Sequence, residues 1–246
     1  MLQNQLVTRA IKRVGRGLAL DIRRSAQTLG NMDAFLARLR STGFIPATVL
    51  DVGANRADWS RLARTYFPQA TFVLVEPQIE MRPYLEDFCR ETTGSRWTLA
   101  GAGREPGEMT LTVWPDLAGS SMLTVPGDQS GLERRKVPIV TIDSLFASGE
   151  QLPQLAKLDI QGFELEALAS ATKLFGQTEC FIVETNVVRP LPEMPTFAEV
   201  VAFFDARRYR VYDFPGHLRR PFDNALAQAD VAFVIRGGVL DNEQRW

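Results

Sequence analysis

The segment 47–58, ATVLDVGANRAD, decides the fold of this chain. Its apolar, β-branched first half, Ala47–Val52, is typical of a short buried strand, and Gly53 then opens a turn of small residues. Apolar side chains follow at helical spacing, at Trp59, Leu62, Ala63, Tyr66 and Phe67. The segment therefore predicts a strand that leads directly into an amphipathic helix, the repeating unit of α/β folds.

The same alternation of strand and helix continues along the chain. Strand patterns occupy 71–76, 96–100, 108–114, 137–142, 155–160, 179–185, 210–214 and 231–235, and helical patterns occupy 81–89, 163–175 and 197–204. Because strands joined by helices form right-handed crossovers, we expect a mostly parallel sheet with helices on both faces. The loop 215–229 shows no helical pattern, so the last strand is free to insert antiparallel.

Composition and charge argue against several classes of protein. The 246 residues hold 28 basic and 29 acidic side chains, so the basic excess of a general nucleic-acid-binding protein is missing. One histidine and two distant cysteines are too few for a zinc site or a disulfide framework. No metal dependence is indicated, although carboxylates alone can hold magnesium. Without an apolar run of membrane-spanning length or a secretory signal, the protein is expected to be cytoplasmic.

The first part of the chain differs from the rest in charge. Residues 1–40 contain eight basic and two acidic residues, with apolar positions at near-helical spacing. We expect two helices, interrupted near 15–17 and 29–30, that form a helical extension over 1–45 beside a main domain over 46–246. These helices either cap the main domain with solvated charges or make weak peripheral contact with anionic lipid or an acidic partner.

The residues that follow the strands predict where a ligand binds. In an open α/β sheet, ligands lie beyond the carboxyl ends of the strands. Asp51 and Gly53 follow the first strand, but the G-x-G-x-x-G pattern of dinucleotide binding is missing. A carboxylate at Asp51 would repel a pyrophosphate, whereas it suits a ligand with a positive charge.

A second acid extends this prediction to a nucleoside. Glu76 ends the next strand, 23 residues after Gly53, where an acid accepts hydrogen bonds from the hydroxyl groups of a ribose. The expected ligand carries a ribose and a positive charge near Asp51. S-adenosylmethionine meets both requirements, because it joins an adenosine to a sulfonium and an amino acid.

Several short blocks of the sequence resemble the FkbM family of S-adenosylmethionine-dependent methyltransferases. They span roughly residues 46–236 and include DVGAN at 51–55, VEP at 75–77, GSS at 119–121, VTID at 140–143 and KLDIQGFE at 157–164. Two positions depart from the family pattern: Ala57 replaces a glycine, and Gln161 replaces a glutamate. The second change removes a negative charge and puts an acid/base role for that position in doubt.

The resemblance implies a fold and an activity. The fold is the Rossmann-like class I methyltransferase fold, with a mostly parallel seven-stranded sheet. The activity is transfer of a methyl group from S-adenosylmethionine to a hydroxyl of a sugar, glycan or related natural product. The acceptor is then a small molecule or a saccharide, with no nucleic acid as partner, and the sequence leaves the oligomeric state open.

The expected site residues fall into three groups. The cofactor is expected to contact Asp51, Gly53, Ala54, Asn55, Glu76, Pro77 and Ala102. Catalysis is assigned to Asp159, as base or hydroxyl-orienting acceptor, and to His217, the single histidine, in a loop flanked by proline and glycine. Substrate contacts are expected from Ser120, Ser121, Gln161 and Glu184, with the segments 115–131 and 186–196 as the substrate wall.

Two other functions use the same fold. A nicotinamide-dependent oxidoreductase would need the glycines that the first loop lacks. A non-catalytic protein with the S-adenosylmethionine-binding fold would have no need for acids at the strand ends, whereas Asp51, Glu76 and Asp159 are all present.

Overall fold

The computed structural model describes residues 30–242 except 116, 118 and 124–131. The predicted helices within residues 1–29 therefore lie outside the described part of the chain. Helix α1, Met32–Ser41, begins at Asn31, whose side chain accepts a hydrogen bond from the Ala34 amide. Its apolar residues Phe35, Leu36 and Leu39 are fully buried, as their helical spacing predicts.

The main sheet has seven strands, as the resemblance implied. In chain order they are β1 (Thr48–Val52), β2 (Thr71–Glu76), β3 (Arg96–Leu99), β7 (Leu155–Leu158), β8 (Cys180–Asn186), β9 (Tyr209–Arg219) and β10 (Leu226–Ile235). Their order across the sheet is β3-β2-β1-β7-β8-β10-β9, and β10 runs antiparallel to both of its neighbours, β8 and β9, whereas the other pairs are parallel. The antiparallel insertion of the last strand was left open by the sequence and is observed here.

Helices cover both faces of this sheet. Helix α1 packs on one face with α2 (Asp58–Tyr66) and α3 (Arg82–Glu91), in the core that contains Val49 and Phe72. The other face is covered by the short α4 (Glu164–Leu168) and by α5 (Phe197–Asp205). Neighbouring residues of one strand enter different cores, because side chains alternate between the two faces of a sheet.

A smaller sheet lies beside the main one. Its strands are β4 (Gly101–Ala102), β5 (Gly107–Val113) and β6 (Glu133–Val140), in the order β4-β6-β5. The predicted strands at 108–114 and 137–142 therefore belong to a separate sheet. Its short apolar core includes Leu111 and Ile139, and the connection between β5 and β6 returns toward the carboxyl end of β2.

The structure corrects two predictions of secondary structure. The helix expected at 163–175 ends at Leu168, since the backbone then turns so that Ser170 accepts hydrogen bonds from the amides of Ile142 and Asp143. The loop expected at 215–229 is largely a hairpin, in which β9 extends to Arg219 and β10 starts at Leu226. Pro215 is tolerated within β9 because that strand forms the edge of the sheet.

No helix within the described residues is both long and apolar enough to cross a membrane.

Candidate active site

A cavity of about 320 Å³ lies at the carboxyl ends of β1, β2 and β7. All seven predicted cofactor-binding residues line it, namely Asp51, Gly53, Ala54, Asn55, Glu76, Pro77 and Ala102. Asp159, Gln161 and Ser120, which were predicted to act on the substrate, line the same cavity. The fold thus brings distant segments of the sequence to one site.

The loop after β1 forms one wall of the cavity. Gly53 has a φ of +80°, and the amides of Gly53 and Ala54 both donate to the Val75 carbonyl of β2. A Cβ atom on Gly53 would lie 2.0 Å from the carbonyl oxygen of Asp159. A side chain is therefore excluded at Gly53, because the loops after β1 and β7 are in direct backbone contact.

Left-handed backbone continues beyond Gly53. Asn55 and Ala57 have φ values of 46° and 61°, a conformation that costs about 1–2 kcal/mol for residues with a side chain. Ala57, which stands where the family pattern has glycine, is fully buried at the start of α2. Ala57 therefore adopts a left-handed backbone conformation that is strained for alanine and that glycine adopts freely.

Asp51 is fully buried at the end of β1. Its Oδ2 accepts a hydrogen bond from Ser60 at 2.6 Å, whereas Oδ1 has no partner among the described residues. Burial raises the pKa of Asp51, although the ammonium of Lys157 and the Ser60 hydroxyl act in the opposite direction. Nearby, the buried indole Nε1 of Trp59, another residue of the cavity wall, also lacks a partner among the described residues.

Glu76 is the second buried acid of the cavity. Its Oε2 accepts from the Asn55 amide at 2.8 Å, and its Oε1 accepts from the Gln78 amide at 2.9 Å. Burial raises the pKa of Glu76, and the hydrogen bonds from Gln78 and Asn55 oppose that rise. The carboxyl group is thus fixed in orientation and retains lone pairs for further donors.

Gln78 connects Glu76 to the segment that follows β5. Its Nε2 donates to the Leu117 carbonyl at 2.8 Å and its Oε1 accepts from Ser120 Oγ at 3.0 Å. The neighbouring Ser121 donates to the Gln161 carbonyl at 2.9 Å on the opposite side. The two adjacent serines therefore hold this segment between the loops that follow β2 and β7.

Asp159 is held by two donors. Lys157 Nζ donates to its Oδ2 at 2.8 Å, and Gln161 Nε2 donates to its Oδ1 at 3.1 Å. Burial acts to lower the pKa of Lys157, but the charges of Asp159 and Asp51 outweigh it and raise the pKa above the ordinary value. Lys157 is thus a buried ammonium that lies beside Asp51 in the sheet register and orients Asp159.

Three further acids lie near Asp159. Asp230 on β10 is the cross-strand partner of Glu184 on β8, and Glu164 is fully buried in α4. Burial, with the charges of Asp159, Glu164 and Asp230, raises the pKa of Glu184 to about 9. Burial raises the pKa of Glu164 to about 7, against hydrogen bonds from the amides of Ile160 and Gly162. Burial and the neighbouring acids therefore favour the protonated form of Glu184.

Three predicted site residues are not among those that line the cavity. Ser121 turns toward the Gln161 carbonyl, and Glu184 lies beyond Asp159. His217 is an exposed residue of β9, paired with Ala229, rather than a loop residue, and its ring packs against Gly30. Because β10 separates β9 from the rest of the sheet, the structure does not bring His217 to Asp159.

Two residues inside the quoted motifs or next to them, which the sequence did not single out, make contacts at the cavity. Lys157 stands in the KLDIQGFE block, and its charge at the end of an apolar strand was the available signal. Gln78 directly follows VEP, but nothing in the sequence shows that it reaches Ser120 across the site. Within the described residues, no group of three or more His, Cys, Asp or Glu side chains has the arrangement of a metal site.

The strand order and the position of the cavity define the class of protein. A seven-stranded sheet with one antiparallel strand, and a ligand cavity beyond its first two strands, is the architecture of class I methyltransferases. The family model of the methyltransferase FkbM domain matches residues 51–211. The chain belongs to this family of S-adenosylmethionine-dependent methyltransferases. A comparison with curated protein sequences gave no match.

Solved structures share the fold at low sequence identity. A methyltransferase FkbM from Methylobacillus flagellatus is 14% identical, with a TM-score of 0.50, over 75% of this chain and 43% of its own. This chain thus spans less than half of that protein. A putative RNA methyltransferase from Pyrococcus horikoshii is 12% identical over 82% of each chain, with a TM-score of 0.46.

A Burkholderia thailandensis 1,6-didemethyltoxoflavin-N1-methyltransferase with bound S-adenosylhomocysteine is also similar. It is 12% identical over 95% of this chain and 90% of its own, with a TM-score of 0.41.

Proposed function

We propose that this methyltransferase transfers a methyl group from S-adenosylmethionine to a hydroxyl group of a small-molecule or saccharide acceptor. The observation that carries the proposal is the meeting of Asp51, Glu76 and Asp159 in one cavity, at the ends of three neighbouring strands. Asp51 and Glu76 suit S-adenosylmethionine, the methyl donor, and Asp159 suits the hydroxyl group that accepts the methyl group.

The polar atoms of the cavity wall that have no partner among the described residues fit S-adenosylmethionine, the methyl donor. The unpartnered Oδ1 of Asp51 can accept from an ammonium group, and the unpartnered Nε1 of Trp59 can donate to a carboxylate. Glu76 would accept hydrogen bonds from the ribose hydroxyls, and Gly53 lines the same cavity beside it. When bound, S-adenosylmethionine supplies an electrophilic methyl group on a positively charged sulfur.

The chain's own contribution to the transfer is to align the acceptor and take up its proton. A hydroxyl that donates to Asp159 is oriented by a carboxylate that Lys157 and Gln161 hold in place. As the oxygen forms its new bond, its proton passes to the same carboxylate. Lys157 keeps Asp159 fixed in position, so little reorganisation is needed at that moment.

Glu184 and Gln161 have other roles in this proposal. Because burial and the neighbouring acids favour the protonated form of Glu184, it serves as a hydrogen-bond donor near Asp159 rather than as a base. Gln161, with a φ of 56°, places its amide on Asp159 and takes no part in proton transfer. This proposal assigns no role to His217, which is not among the residues that line the cavity.

The test combines binding and turnover. S-adenosylhomocysteine at 100 times its dissociation constant should stabilise the protein by about 2.7 kcal/mol, and NADH should not. Asp159→Asn should bind S-adenosylhomocysteine normally and lose roughly 100-fold or more in methyl transfer, followed as methylated product by mass spectrometry. Asp205→Asn, an exposed residue of α5, is the matched control. Stabilisation by NADH alone would overturn the proposal.

A further inference from the structure

A second cavity lies next to the first and is not needed for the donor. It has a volume of about 450 Å³. Phe163 lines both this cavity and the first one, which we call the donor cavity because the methyl donor is proposed to bind there. An acceptor must bring its hydroxyl to the methyl group while the rest of the molecule lies elsewhere. A neighbouring cavity with a common wall is the space in which that remainder can lie. We call it the acceptor groove.

The floor of the acceptor groove is apolar. Gly162 has a φ of +96°, and a Cβ atom there would lie 2.5 Å from Met194 Cγ and 2.8 Å from Leu123 Cδ1. Both side chains therefore pack over a bare backbone beside Phe163. Leu123 and Met194 come from the two segments that the sequence assigned to the substrate wall, 115–131 and 186–196.

The rim of the groove carries excess negative charge. Three carboxylates line it, of which Glu166 pairs with Arg104 outside the groove and Glu199 pairs with Arg189 in its lining, whereas Glu193 makes no ion pair within the described structure. Arg189 is already paired with a carboxylate, because its Nη2 donates to both oxygens of Glu199 at 2.7 and 2.6 Å and its Nη1 donates to the Pro192 carbonyl at 3.1 Å. The charge of the lining cation in the described groove is thus already balanced by a carboxylate, and the charge of Glu193 is not balanced.

From this arrangement we propose that the acceptor groove binds an uncharged sugar ring and excludes anionic acceptors. A sugar ring presents C–H groups to an apolar floor and hydroxyl donors to carboxylates at the rim, whereas a phosphate would meet Glu193 and Glu199 without a free cation. The inference rests on the proposed methyl transfer and names the class of acceptor.

Glu193 permits a direct test, since it is exposed and makes no ion pair within the described structure. The protein is loaded with S-adenosylhomocysteine, and binding of methyl glycosides, amino sugars and sugar phosphates is measured by calorimetry. We expect at least one neutral glycoside to bind at least tenfold more tightly than its phosphorylated analogue. Glu193→Lys should reduce that preference at least tenfold, whereas Glu86→Lys, the same charge change on α3, should leave it unchanged.

Each result decides between the two proposals. If S-adenosylhomocysteine does not bind, the proposed function fails. If it binds but no neutral glycoside does, or the phosphorylated analogue binds as well, the inference about the acceptor groove is wrong. A more than tenfold preference for the amino sugars would also overturn it, because the occupant would then be a cation. An unchanged preference in Glu193→Lys would show that the acceptor binds elsewhere.

Discussion

Gly53 and Asp159 lie so close together that no side chain fits between the loops that carry them. A Cβ atom on Gly53 would be 2.0 Å from the Asp159 carbonyl oxygen and 2.9 Å from its carbonyl carbon. A rigid backbone contact therefore joins the loop predicted to hold the donor to the residue predicted to hold the acceptor. Their separation is set by the sheet and not by flexible side chains.

Gly53→Ala should separate these two loops. The left-handed φ at position 53 costs an alanine about 1–2 kcal/mol, and the added Cβ atom must also displace the backbone of Asp159. We expect loss of S-adenosylhomocysteine binding in calorimetry and a lower midpoint of urea unfolding. Gly149→Ala is the control, since Gly149 has a similar φ of +83° but no atoms within 4 Å of the added Cβ. Equal effects of both variants would show that the contact is unimportant.

Lys157→Met should destabilise the fold strongly. It removes the ammonium that lies beside Asp51 and pairs with Asp159, and an unpaired buried charge typically costs about 3–5 kcal/mol. Urea unfolding measures the change. Arg104→Met removes an exposed ion pair with Glu166 and should change stability much less, because solvent screens the charges of an exposed pair. If the two variants lose similar stability, the buried pair does not matter as described.

Glu184→Gln should stabilise the protein at high pH. The folded state keeps the Glu184 proton up to about pH 9, whereas an unfolded glutamate releases it near the ordinary pKa of 4.5. Between these values the folded state binds more protons, so stability falls as pH rises. Glutamine removes this dependence, so the gain in the free energy of unfolding should be small near pH 5 and largest near pH 9. Each kcal/mol of this gain should raise Tm by about 2–4 °C.

Thermal unfolding across this pH range checks the prediction for Glu184. Glu86→Gln, an exposed position on α3, should leave the pH profile unchanged. A wild-type pH profile in Glu184→Gln would mean that Glu184 is charged in the folded protein.

Gln78→Leu should weaken donor binding by releasing the segment after β5. The variant loses the bonds to Leu117, Ser120 and the Glu76 side chain, each worth about 1 kcal/mol. We expect an increase of roughly tenfold in the dissociation constant of S-adenosylhomocysteine and faster proteolytic cleavage between β5 and β6. The exposed Gln69→Leu serves as control. Normal affinity in Gln78→Leu would mean that the segment does not support Glu76.

The sequence predicted the strand, turn and helix around Gly53 well because this structure is local. The strand, turn and helix around Gly53 occupy one continuous segment, and Glu76 ends the next strand along the chain. Parallel order then brings the two strand ends together. The α/β class follows from the alternation of strand and helix patterns along the chain, because these patterns depend only on the spacing of nearby apolar residues.

The contacts around Asp159 and Ser120 could not be predicted from the sequence because they depend on distant pairings. The partnership of Glu184 with Asp230 requires the antiparallel register of β8 and β10, and the bond from Gln78 to Ser120 spans 42 positions. His217 was misplaced for the same reason. A proline and a glycine indicate a loop in the sequence, but an edge strand accepts both.

The position of β10 has a consequence for folding during synthesis. The strands β1, β2 and β3 can pair as soon as they are made, whereas the outer edge of β8 has its partner only after Leu226–Ile235 is translated. A nascent chain that stops before this strand carries an open, apolar edge that includes Phe181 and Val183. Until translation reaches β10, the chain is therefore most vulnerable to aggregation along β8 and most in need of a chaperone there.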